Sequence, residues 1–388
     1  MTSDNIVIPI GPQHPALKEP GHFEFKVDGE IVVDAHVRLG YAHRAIEKTA
    51  ESRNWTQNLY LMERICGICS HVHAMTYIQG VEQLAEVTAP PRAQAIRVLF
   101  AELERIHSHL LWLGVAAHEA GFDTLFMYAW RDREQVMNLF ESITGSRVTH
   151  SINTPGGVKV DLIDKHQDAI HAAMDLLDER MAYYLNFVSS DRAWLLRTRG
   201  VGQITAAQAE DLGVTGPMIR ACGVARDIRS DSPYAAYSEF PVHPITEPAG
   251  DLEARVVVRV REMQESIRLV RSLLQDLPAG ELEVRVPRRI KAGETISRAE
   301  APRGELFYFI ESSGADSPQR VKVRTPSLPN IAAVMTLALG QPLADVPMIL
   351  AGVDPCFSCN DRMIVVNQQA WSWKHLRQYA IDWYGRQA

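Results

Sequence analysis

Two Cys-x-x-Cys pairs stand near opposite ends of this 388-residue chain, and they constrain its fold more than any other feature. One pair is Cys66 and Cys69, the other is Cys356 and Cys359, and Cys222 is the only remaining cysteine. Each pair places two soft thiolate ligands within reach of one metal ion. A site that used both pairs would tie the two ends of the chain into one structure.

Several kinds of site use such cysteines, and the spacing separates only some of them. Structural zinc is common, and a single Cys-x-x-Cys is also typical of a thiol–disulfide redox pair. Zinc ribbons hold their pairs about 15 to 20 residues apart, whereas 286 residues lie between Cys69 and Cys356. This spacing disfavours a ribbon and leaves open a long-range structural metal, a catalytic metal and redox pairs. Soft ligands narrow the metal to zinc, copper(I), iron or nickel.

Composition excludes some classes of function. The chain is 46% hydrophobic and 22% charged, which is typical of a globular protein with a substantial core. Its net charge of −7 argues against nucleic acid as a partner. No apolar run approaches the roughly 18 to 20 residues of a membrane span, and no basic-then-apolar export signal opens the sequence. We therefore expect a cytoplasmic, reducing environment, where thiolates bind metal more readily than they form disulfides.

Residue patterns predict one interlocked α+β domain over residues 1–388, predominantly helical. Residues 1–40 are predicted to be β-rich, because strand-like segments flank the turn dipeptide Asp28-Gly29. Residues 41–277 are predicted to form a helical bundle. The apolar side chains there recur at three- and four-residue steps, most clearly over residues 93–120, 166–188 and 252–277.

In the C-terminal third, the residue pattern changes from helical to mixed strand and helix. Residues 278–362 are predicted to be an α/β segment that carries the second cysteine pair. Within it we expect short strands at residues 281–287 and 306–310 and a helix at residues 329–339. Residues 363–388 are predicted to form a short strand followed by an aromatic-rich helix. The metal site is expected between the chain ends.

With their flanking residues, the two pairs resemble the signatures of the large, catalytic subunit of nickel-iron hydrogenases. Residues 64–69 read Arg-Ile-Cys-Gly-Ile-Cys with His73 four positions on, and Asp354-Pro355 precedes the second pair, with Arg362 three positions beyond it. The blocks at residues 44–47 and 301–304 are also similar to that family. The similarity covers nearly the whole chain and its motifs occur in the same order.

A second resemblance is to the 49-kilodalton, quinone-site subunit of respiratory complex I. It rests on residues 11–15 (Gly-Pro-Gln-His-Pro), 40–48, 213–217 (Gly-Val-Thr-Gly-Pro) and 223–229. Chains that resemble both families belong to the energy-converting, membrane-associated hydrogenases. Because the first of these motifs begins so early, we expect the Ech or carbon-monoxide-induced type. The complex I subunit lacks the nickel-binding cysteines, and this chain has all four.

The resemblance implies a nickel-iron centre with carbon monoxide and cyanide on the iron. Cys66 and Cys356 would be terminal thiolates on nickel, and Cys69 and Cys359 would bridge the two metals. Cys356 is the expected first proton acceptor, and Glu19 the next carrier. A carboxyl group buried near the site would have a raised pKa that suits a proton relay. The alternative for Glu19 is a surface carboxylate before the hairpin.

Further residues are assigned by the same resemblance. Arg303 would lean over the open side of the metals, held by Asp354, unless it forms a surface ion pair and Asp354 only caps a turn. Pro302 belongs to the same block and is expected beside the cofactor. Thr325 and Ser327 would bind a cyanide ligand, although Thr-Pro-Ser is also an ordinary turn.

His73 and Glu47 are expected to act around the centre. His73 would donate a hydrogen bond to a bridging sulfur, with a satisfied core histidine as the alternative. Glu47 would help to bind a structural magnesium or iron ion near the C-terminus. Arg362 stands where many relatives have a histidine ligand, so a salt bridge between Arg362 and Glu47 is the competing interpretation of that position.

Partners and location also follow from the resemblance. Electrons would arrive through a small subunit with a 4Fe-4S cluster and a ferredoxin-like iron-sulfur subunit, and complex I-like membrane subunits would couple the reaction to ion transport. Nickel-insertion proteins and an endopeptidase that removes the 26 residues after Arg362 would mature the chain. It would sit on the cytoplasmic side of the membrane. The alternative function is a complex I-like quinone-binding or coupling subunit without a nickel-iron centre.

Overall fold

A computed structural model describes residues 6–360, 377–379 and 381–382 of the chain. The first element is a three-stranded antiparallel sheet in the order β1-β2-β3. Its strands are β1 (Ile6–Ile10), β2 (His22–Asp28) and β3 (Ile31–Arg38). The predicted hairpin forms, but its two turn residues are Gly29 and Glu30, one position later than predicted, because Asp28 pairs with Ile31 as the last residue of β2. Gly29 has the positive φ of 61° that such a turn favours. On β2, Phe23, Phe25 and Val27 alternate into the core, as a half-buried strand requires.

Helices make up most of the described chain after β3, and the predicted helix-rich α+β class is confirmed. The longest helices match the predicted segments to within a few residues. In chain order the helices before the C-terminal sheet are α1 (Ile46–Ala50), α2 (Trp55–Glu63), α3 (Ser70–Ala85), α4 (Pro91–Glu119), α5 (Asp123–Thr144), α6 (Asp164–Ser190), α7 (Arg192–Thr198), α8 (Ala206–Asp211), α9 (Pro217–Arg220), α10 (Ile228–Asp231) and α11 (Leu252–Gln275).

The helix α4 is the central element of the bundle. It packs against α5, α11 and α13 (Val346–Val353), and α11 in turn packs against α6. Its buried side chains occur on every side of the helix rather than on one stripe, and they include Glu102, Glu104 and Arg105. A helix that is enclosed on all sides can carry charged groups only where partners surround them.

The C-terminal segment forms a second antiparallel sheet. Its order is β6-β7-β8, and β6 and β7 both pack against α3. The strands are β6 (Gly293–Ala301), β7 (Gly304–Ser312) and β8 (Pro318–Arg324). They follow a small pair, β4 (Asn153–Thr154) and β5 (Gly157–Val158). The chain then continues through α12 (Ser327–Ala338), a short 3₁₀ turn, α13 and α14 (Phe357–Asn360).

One predicted strand is wrong. Residues 281–287 have strand-like composition, but they make only an isolated bridge between Glu283 and Gly157. The segment lies beside the two-residue pair β4-β5, so it lacks a neighbour long enough to extend a ladder. The predicted strand and aromatic helix of residues 363–388 lie almost wholly outside the described residues. Among the helices that are described, none combines the length and apolar character needed to cross a membrane.

Candidate metal centre

The two cysteine pairs meet inside the protein. Cys66 Sγ lies 3.6 Å from Cys356 Sγ, and Cys356 Sγ lies 3.0 Å from Cys359 Sγ. Cys69 joins the group through Cys359 and His73, whose ligand atoms lie within 4.8 Å of one another. All four cysteines are free and buried. They occupy a hydrophobic cluster between α3 and the C-terminal sheet.

The first pair lies in the turn that joins α2 to α3. Backbone N–H groups of Ile68 and Cys69 point at Cys66 Sγ, at 3.3 and 3.4 Å, which favours the thiolate form. Glu104 on α4 accepts hydrogen bonds from the first amides of α3, those of His71 and Val72, at 2.7 and 3.0 Å. This buried carboxyl group anchors the start of the helix that follows Cys69. Burial raises the pKa of Glu104 to about 8.

The second pair follows the end of α13. Asp354 adopts a left-handed backbone with φ of 56°, a conformation that aspartate tolerates better than most residues. The N–H of Cys356 then donates to Ser327 Oγ at 3.3 Å, at the start of α12. Thr325, which is fully buried, donates its hydroxyl to the side chain of Asn360. Thr325 and Ser327 thus lie beside the second cysteine pair, on the side of the site formed by α12.

The donor set fits a soft metal. A thiolate–metal bond of about 2.3 Å places the sulfurs of a tetrahedral site roughly 3.8 Å apart, close to the 3.6 Å between Cys66 and Cys356. The thiols of Cys356, Cys359 and Cys69 hold the pKa of the Cys66 thiol well below its usual range. The pKa of the Cys359 thiol is raised by its contacts with Cys356 and Cys66 and by burial. A bound cation would remove this conflict by ionising all four.

Arg303 is the buried cation of the site. It stands in the two-residue turn between β6 and β7, where its Nη2 donates to Asp354 Oδ1 at 2.7 Å and its Nε to the Asp354 carbonyl at 2.9 Å. Its Nη1 lies 3.4 Å from Ser108 Oγ on α4. Burial opposes the charged form, but Asp354, Cys356 and Cys66 raise the pKa of Arg303 well above its ordinary value. The alternative of a surface ion pair is wrong, because the Arg303 side chain is 4% exposed.

A glycine-containing loop holds the turn that carries Arg303. A Cβ on Gly216 would collide with the backbone of Arg303, and one on Gly304 would collide with Thr215. Asn330 on α12 joins the two segments, since its side chain accepts from Thr215 N at 2.9 Å and donates to Arg303 O at 3.2 Å. Pro302 is buried in the same turn. The close backbone approach explains why residues 213–217 contain glycine.

Glu19 lies at the edge of the centre rather than on an open surface. Its carboxylate accepts from the N–H of Ser358 at 3.0 Å and also from the Ser358 hydroxyl. Burial raises the pKa of Glu19, although the Ser358 N–H offsets part of the effect. The loop can come this close because Gly21 packs directly on the Phe357 ring, where a Cβ would not fit.

A cavity of about 260 Å³ lies beside these groups. Glu19, Arg303 and Cys356 line it on one side, and apolar residues including Leu111 and Trp112 line the other. The site therefore places a carboxyl group, a guanidinium and a thiol around one small space with largely apolar walls.

His73 lies on α3, and each of its ring nitrogens contacts another side chain of the site. Its Nδ1 is 2.7 Å from the Tyr308 hydroxyl and its Nε2 is 3.8 Å from Cys359 Sγ. Burial lowers the pKa of His73 to about 4, so the neutral ring carries a single N–H. The Tyr308 contact can hold the tautomer that points this N–H at the sulfur.

Glu47 stands apart from the cysteines. It accepts from the backbone N–H of Val323 at 2.9 Å and lies 3.7 Å from Arg320. With Cys359 it lines a neighbouring pocket of about 220 Å³. Arg362, its expected partner in a salt bridge, lies outside the described residues.

Several residues around the centre were not singled out from the sequence. Arg44 donates to the carbonyls of Arg64 and Ile65, at 2.6 and 2.8 Å, and to that of Ser358 at 3.0 Å. One guanidinium therefore ties both cysteine loops together. The sequence indicated Arg44 only as part of the family-like block at residues 44–47. Nothing in the local sequence marks Ser108 or Tyr308, which reach the site only through the packing of α4 and β7.

Comparisons with known proteins identify the family of the chain. The chain matches the family described as the 49 Kd subunit of respiratory-chain NADH dehydrogenase over residues 119–292 and 284–362. It matches the nickel-dependent hydrogenase family over residues 44–115. The chain therefore belongs to the family of the complex I 49-kilodalton subunit and the related nickel-iron hydrogenase large subunits, and the predicted resemblance is confirmed.

Individual relatives include both hydrogenases and other oxidoreductase subunits. The carbon monoxide-induced hydrogenase of Rhodospirillum rubrum is 38% identical over 92% of this chain and 99% of its own length. One subunit of the F420H2 dehydrogenase of Methanosarcina mazei is 39% identical over 93% of this chain and 99% of its own. A chain of the archaeal membrane-bound sulfane sulfur reductase superposes with a TM-score of 0.89 at 33% identity, over 93% of this chain and 100% of that one.

Proposed function

We propose that this chain is the catalytic large subunit of a membrane-associated, energy-converting nickel-iron hydrogenase that reversibly reduces protons to hydrogen. The observation that carries the proposal is the convergence of four buried cysteines from chain positions far apart. The match to the nickel-dependent hydrogenase family and the hydrogenase among the relatives support it.

In this proposal the four cysteines hold the centre. Cys66 and Cys356 would be ligands of nickel alone, and Cys69 and Cys359 would be shared between nickel and an iron with carbon monoxide and cyanide. The metal pair would supply the site at which electrons delivered by a partner subunit reduce protons to hydrogen. Four anionic sulfurs suit a soft metal that changes oxidation state. The hydrophobic cluster around them keeps the four sulfurs buried.

Side chains of the protein would transfer the protons. Cys356 faces the cavity that Glu19 also lines, so a proton at its sulfur can pass towards the Glu19 carboxyl group. Ser358 holds that carboxyl group in place through two hydrogen bonds. A raised pKa brings Glu19 closer to neutrality, where a carboxyl group both accepts and releases protons.

Arg303, Asp354 and the α12 segment orient the rest of the centre. The Arg303 guanidinium, fixed by Asp354, presents positive charge to the thiolates from the cavity side. Pro302, Thr325 and Ser327 would surround the diatomic ligands of the iron, and the Ser327 hydroxyl already accepts from Cys356 N. His73 would donate to the sulfur of Cys359.

The proposal extends to partners and location. The relative of known structure is part of a membrane-bound archaeal respiratory complex, which supports a peripheral place on such a complex, on the cytoplasmic side. A small subunit with a 4Fe-4S cluster, a ferredoxin-like subunit and complex I-like membrane subunits would deliver electrons and couple the reaction to ion transport. Nickel-insertion proteins and an endopeptidase acting after Arg362 would mature the chain. Glu47 would bind a magnesium or iron ion nearby.

The second candidate function is a quinone-binding or coupling subunit without nickel. The match to the 49 Kd subunit family over the larger part of the chain favours it. The natively assembled complex decides between the two by elemental analysis and infrared spectroscopy. We expect about one nickel per chain together with iron-bound carbon monoxide and cyanide bands, and a zinc-only or metal-free protein would overturn the hydrogenase proposal.

A further inference from the structure

A second group of charged side chains is buried where α4, α9, α10, α11 and β6 meet. It contains four carboxyl groups and three guanidinium groups, which we call the buried charge cluster. The carboxyl groups belong to Glu102, Asp227, Glu262 and Glu300. The guanidinium groups belong to Arg105, Arg220 and Arg229. Each of the seven residues is at most 2% exposed, so an imbalance of charge within the cluster would be costly.

The cluster has one carboxyl group more than it has guanidinium groups. His109 does not supply the missing charge. Its Nε2 lies 2.9 Å from Glu262 Oε2, but burial lowers the pKa of His109 to about 4, which leaves the ring neutral near pH 7. Arg259 on α11, which is 1% exposed, supplies positive charge at the Glu262 end of the cluster. A net count therefore does not place a proton, and the contacts of each carboxyl group decide where one binds.

The contacts identify the carboxyl group with the weakest compensation. Asp227 accepts from Arg229 at 2.7 and 3.0 Å and lies 3.3 Å from Arg220. Glu102 accepts from Arg229 and Arg105 and from the hydroxyl groups of Tyr237 and Ser266.

Glu262 accepts from Arg220 Nε at 2.7 Å. Glu300, in contrast, accepts from a guanidinium only through Arg220 Nη1 at 2.7 Å, a nitrogen that also lies close to Asp227. Its other oxygen accepts from the N–H of Ile228 at 3.2 Å. Glu300 therefore has the weakest compensation, and a proton that enters the cluster belongs on this carboxyl group.

Glu300 is also the member of the cluster that lines a pocket. The pocket has a volume of about 410 Å³, large enough for several water molecules. Its other charged lining groups are Arg226, Glu305 and Arg324, and the last two are paired with each other at 2.6 Å. Towards the interior, the groups that face Glu300 are Arg105 of α4, Arg220 of α9, Asp227 and Arg229 at α10, and Tyr234.

The electrostatic balance agrees with the contacts. Burial and the charge of Asp227 raise the pKa of Glu300 to about 7, although Arg220 opposes the shift. Burial also opposes ionisation of Asp227, but Arg229 and Arg220 lower its pKa to about 2. Asp227 is therefore ionised near neutral pH, and Glu300 is the carboxyl group of the two that binds a proton.

We propose that Glu300 is a proton-binding site, loaded from the pocket, and that its charge influences the cysteine centre. In the loading step, a hydronium ion in the pocket transfers one proton to a carboxylate oxygen of Glu300, which gives the neutral acid and a water molecule. The link to the centre runs through Arg220, Glu262 and His109 to Ser108, which contacts Arg303. Glu300 and Arg303 also belong to one hairpin. The influence of Glu300 on the cysteine centre rests on the proposed function, whereas the binding of a proton by Glu300 does not.

The first test uses infrared difference spectroscopy of the natively assembled complex between about pH 6 and pH 8. We expect protonated-carboxyl absorbance to grow on acidification, with Glu300 and the buried Glu104 both contributing. The Glu300 contribution should be missing from Glu300→Gln, whose absorbance change is then smaller than that of the unaltered protein. That contribution should be shifted in pH midpoint in Glu300→Asp, which also guards against misfolding of the first variant. Glu305→Gln, in the same pocket, is the matched control and should retain the full change. An absorbance change in Glu300→Gln equal to that of the unaltered protein would overturn the proton site.

The second test compares the pH dependence of hydrogen turnover in the same variants. If the charge of Glu300 acts on the centre, Glu300→Gln removes one ionisation near neutral pH from the profile, and Glu305→Gln leaves the profile unchanged. A Glu300→Gln profile identical to that of the unaltered protein would overturn the link to the centre. A complex that lacks hydrogen turnover altogether would overturn the proposed hydrogenase function, whereas the infrared result would still decide whether Glu300 binds the proton.

Discussion

The guanidinium of Arg303 donates hydrogen bonds to both the side chain and the main-chain carbonyl of Asp354. Nη2 donates to Oδ1 at 2.7 Å and Nε donates to the carbonyl at 2.9 Å. The left-handed backbone of Asp354 allows one residue to offer both acceptors on the same side. The guanidinium is thereby fixed next to Cys356, two positions further along the chain.

Replacing Arg303 by lysine tests this arrangement. A lysine ammonium keeps the charge but lacks the planar fork that makes two directed contacts. We expect Arg303→Lys to retain nickel and to lower hydrogen turnover by about 10- to 100-fold, as a displacement of about 1 Å can do. Arg298→Lys, on the same hairpin with a largely exposed side chain, is the control. Equal turnover in the two variants would contradict the positioning role.

The role of Glu19 can be separated from its structural contact. Glu19→Gln keeps an acceptor for Ser358 but cannot carry a proton. Because proton transfer by a positioned group contributes about 10²- to 10⁴-fold, we expect hydrogen turnover to fall by at least about 10²-fold at unchanged metal content. Glu24→Gln changes a carboxylate on β2 that pairs with His22 instead, and should be silent. Loss of nickel in Glu19→Gln would point to a structural role.

Ligand chemistry predicts a sharp difference between cysteines. Cys356→Ser replaces a soft thiolate by a hydroxyl group, which is a poor ligand for nickel, so we expect nickel to fall below about a tenth of the normal content. Cys222→Ser is the matched control. That thiol is buried in the hydrophobic core, and its hydrogen bonds go to the carbonyls of Met218 and Ile204, at 3.4 and 3.7 Å. Nickel retained by Cys356→Ser would remove this residue from the ligand set.

Arg44 is predicted to keep the centre closed. Its guanidinium joins the carbonyls of the two cysteine loops, which methionine cannot do. We expect Arg44→Met to lose nickel to a chelator about 10- to 100-fold faster, the usual effect of removing a group that orients ligands. Arg53→Met, at an exposed position just before α2, should lose nickel at the normal rate. The measurement is the time course of nickel release from the purified complex.

Glu102 predicts a pH dependence of stability. Burial opposes ionisation, but Arg229 and Arg105 lower its pKa to about 2 in the folded protein. Because the unfolded value lies near 4.3, its contribution to stability is fully present above about pH 5 and is lost as the pH falls towards 2.

We expect Glu102→Gln to lower the free energy of unfolding by about 3 kcal/mol at pH 7 and to weaken its acid dependence. Urea unfolding at pH 7 and at lower pH measures both. Glu179→Gln removes a mostly exposed partner of Arg180 and should change the free energy by less than about 1 kcal/mol. An acid dependence in Glu102→Gln as steep as that of the unaltered protein would exclude Glu102 as its source.

The sequence predicted elements whose signals are local. The first hairpin, to within one residue at its turn, and the long helices follow from turn chemistry and from apolar periodicity. Strands β6 and β8 were missed because their residues are largely polar and they become strands by pairing with β7. Residues 281–287 show the reverse case, strand-like residues without an adequate neighbour.

The candidate site was predictable only in part. Its cysteines stand in motifs, and so does Arg303. Ser108, Tyr308 and Asn330 reach the site from three different elements, and no local pattern predicts which surfaces of those elements meet. Nothing in the sequence around Glu300 distinguishes it from an exposed acidic residue on a strand. Its burial and its shared partner Arg220 exist only after the loop before α10 packs on β6.

The contact between Cys66 and Cys356 joins two parts of the chain that are far apart in sequence. A loop of almost 300 residues costs roughly 5 kcal/mol of entropy to close, and pairings this distant in sequence form slowly. The second cysteine loop is positioned only by tertiary packing, since α13 before it packs against α4 and α12. For the proposed centre we therefore expect metal loading to follow folding, so that an occupied centre would report that both ends of the polypeptide have reached their final positions.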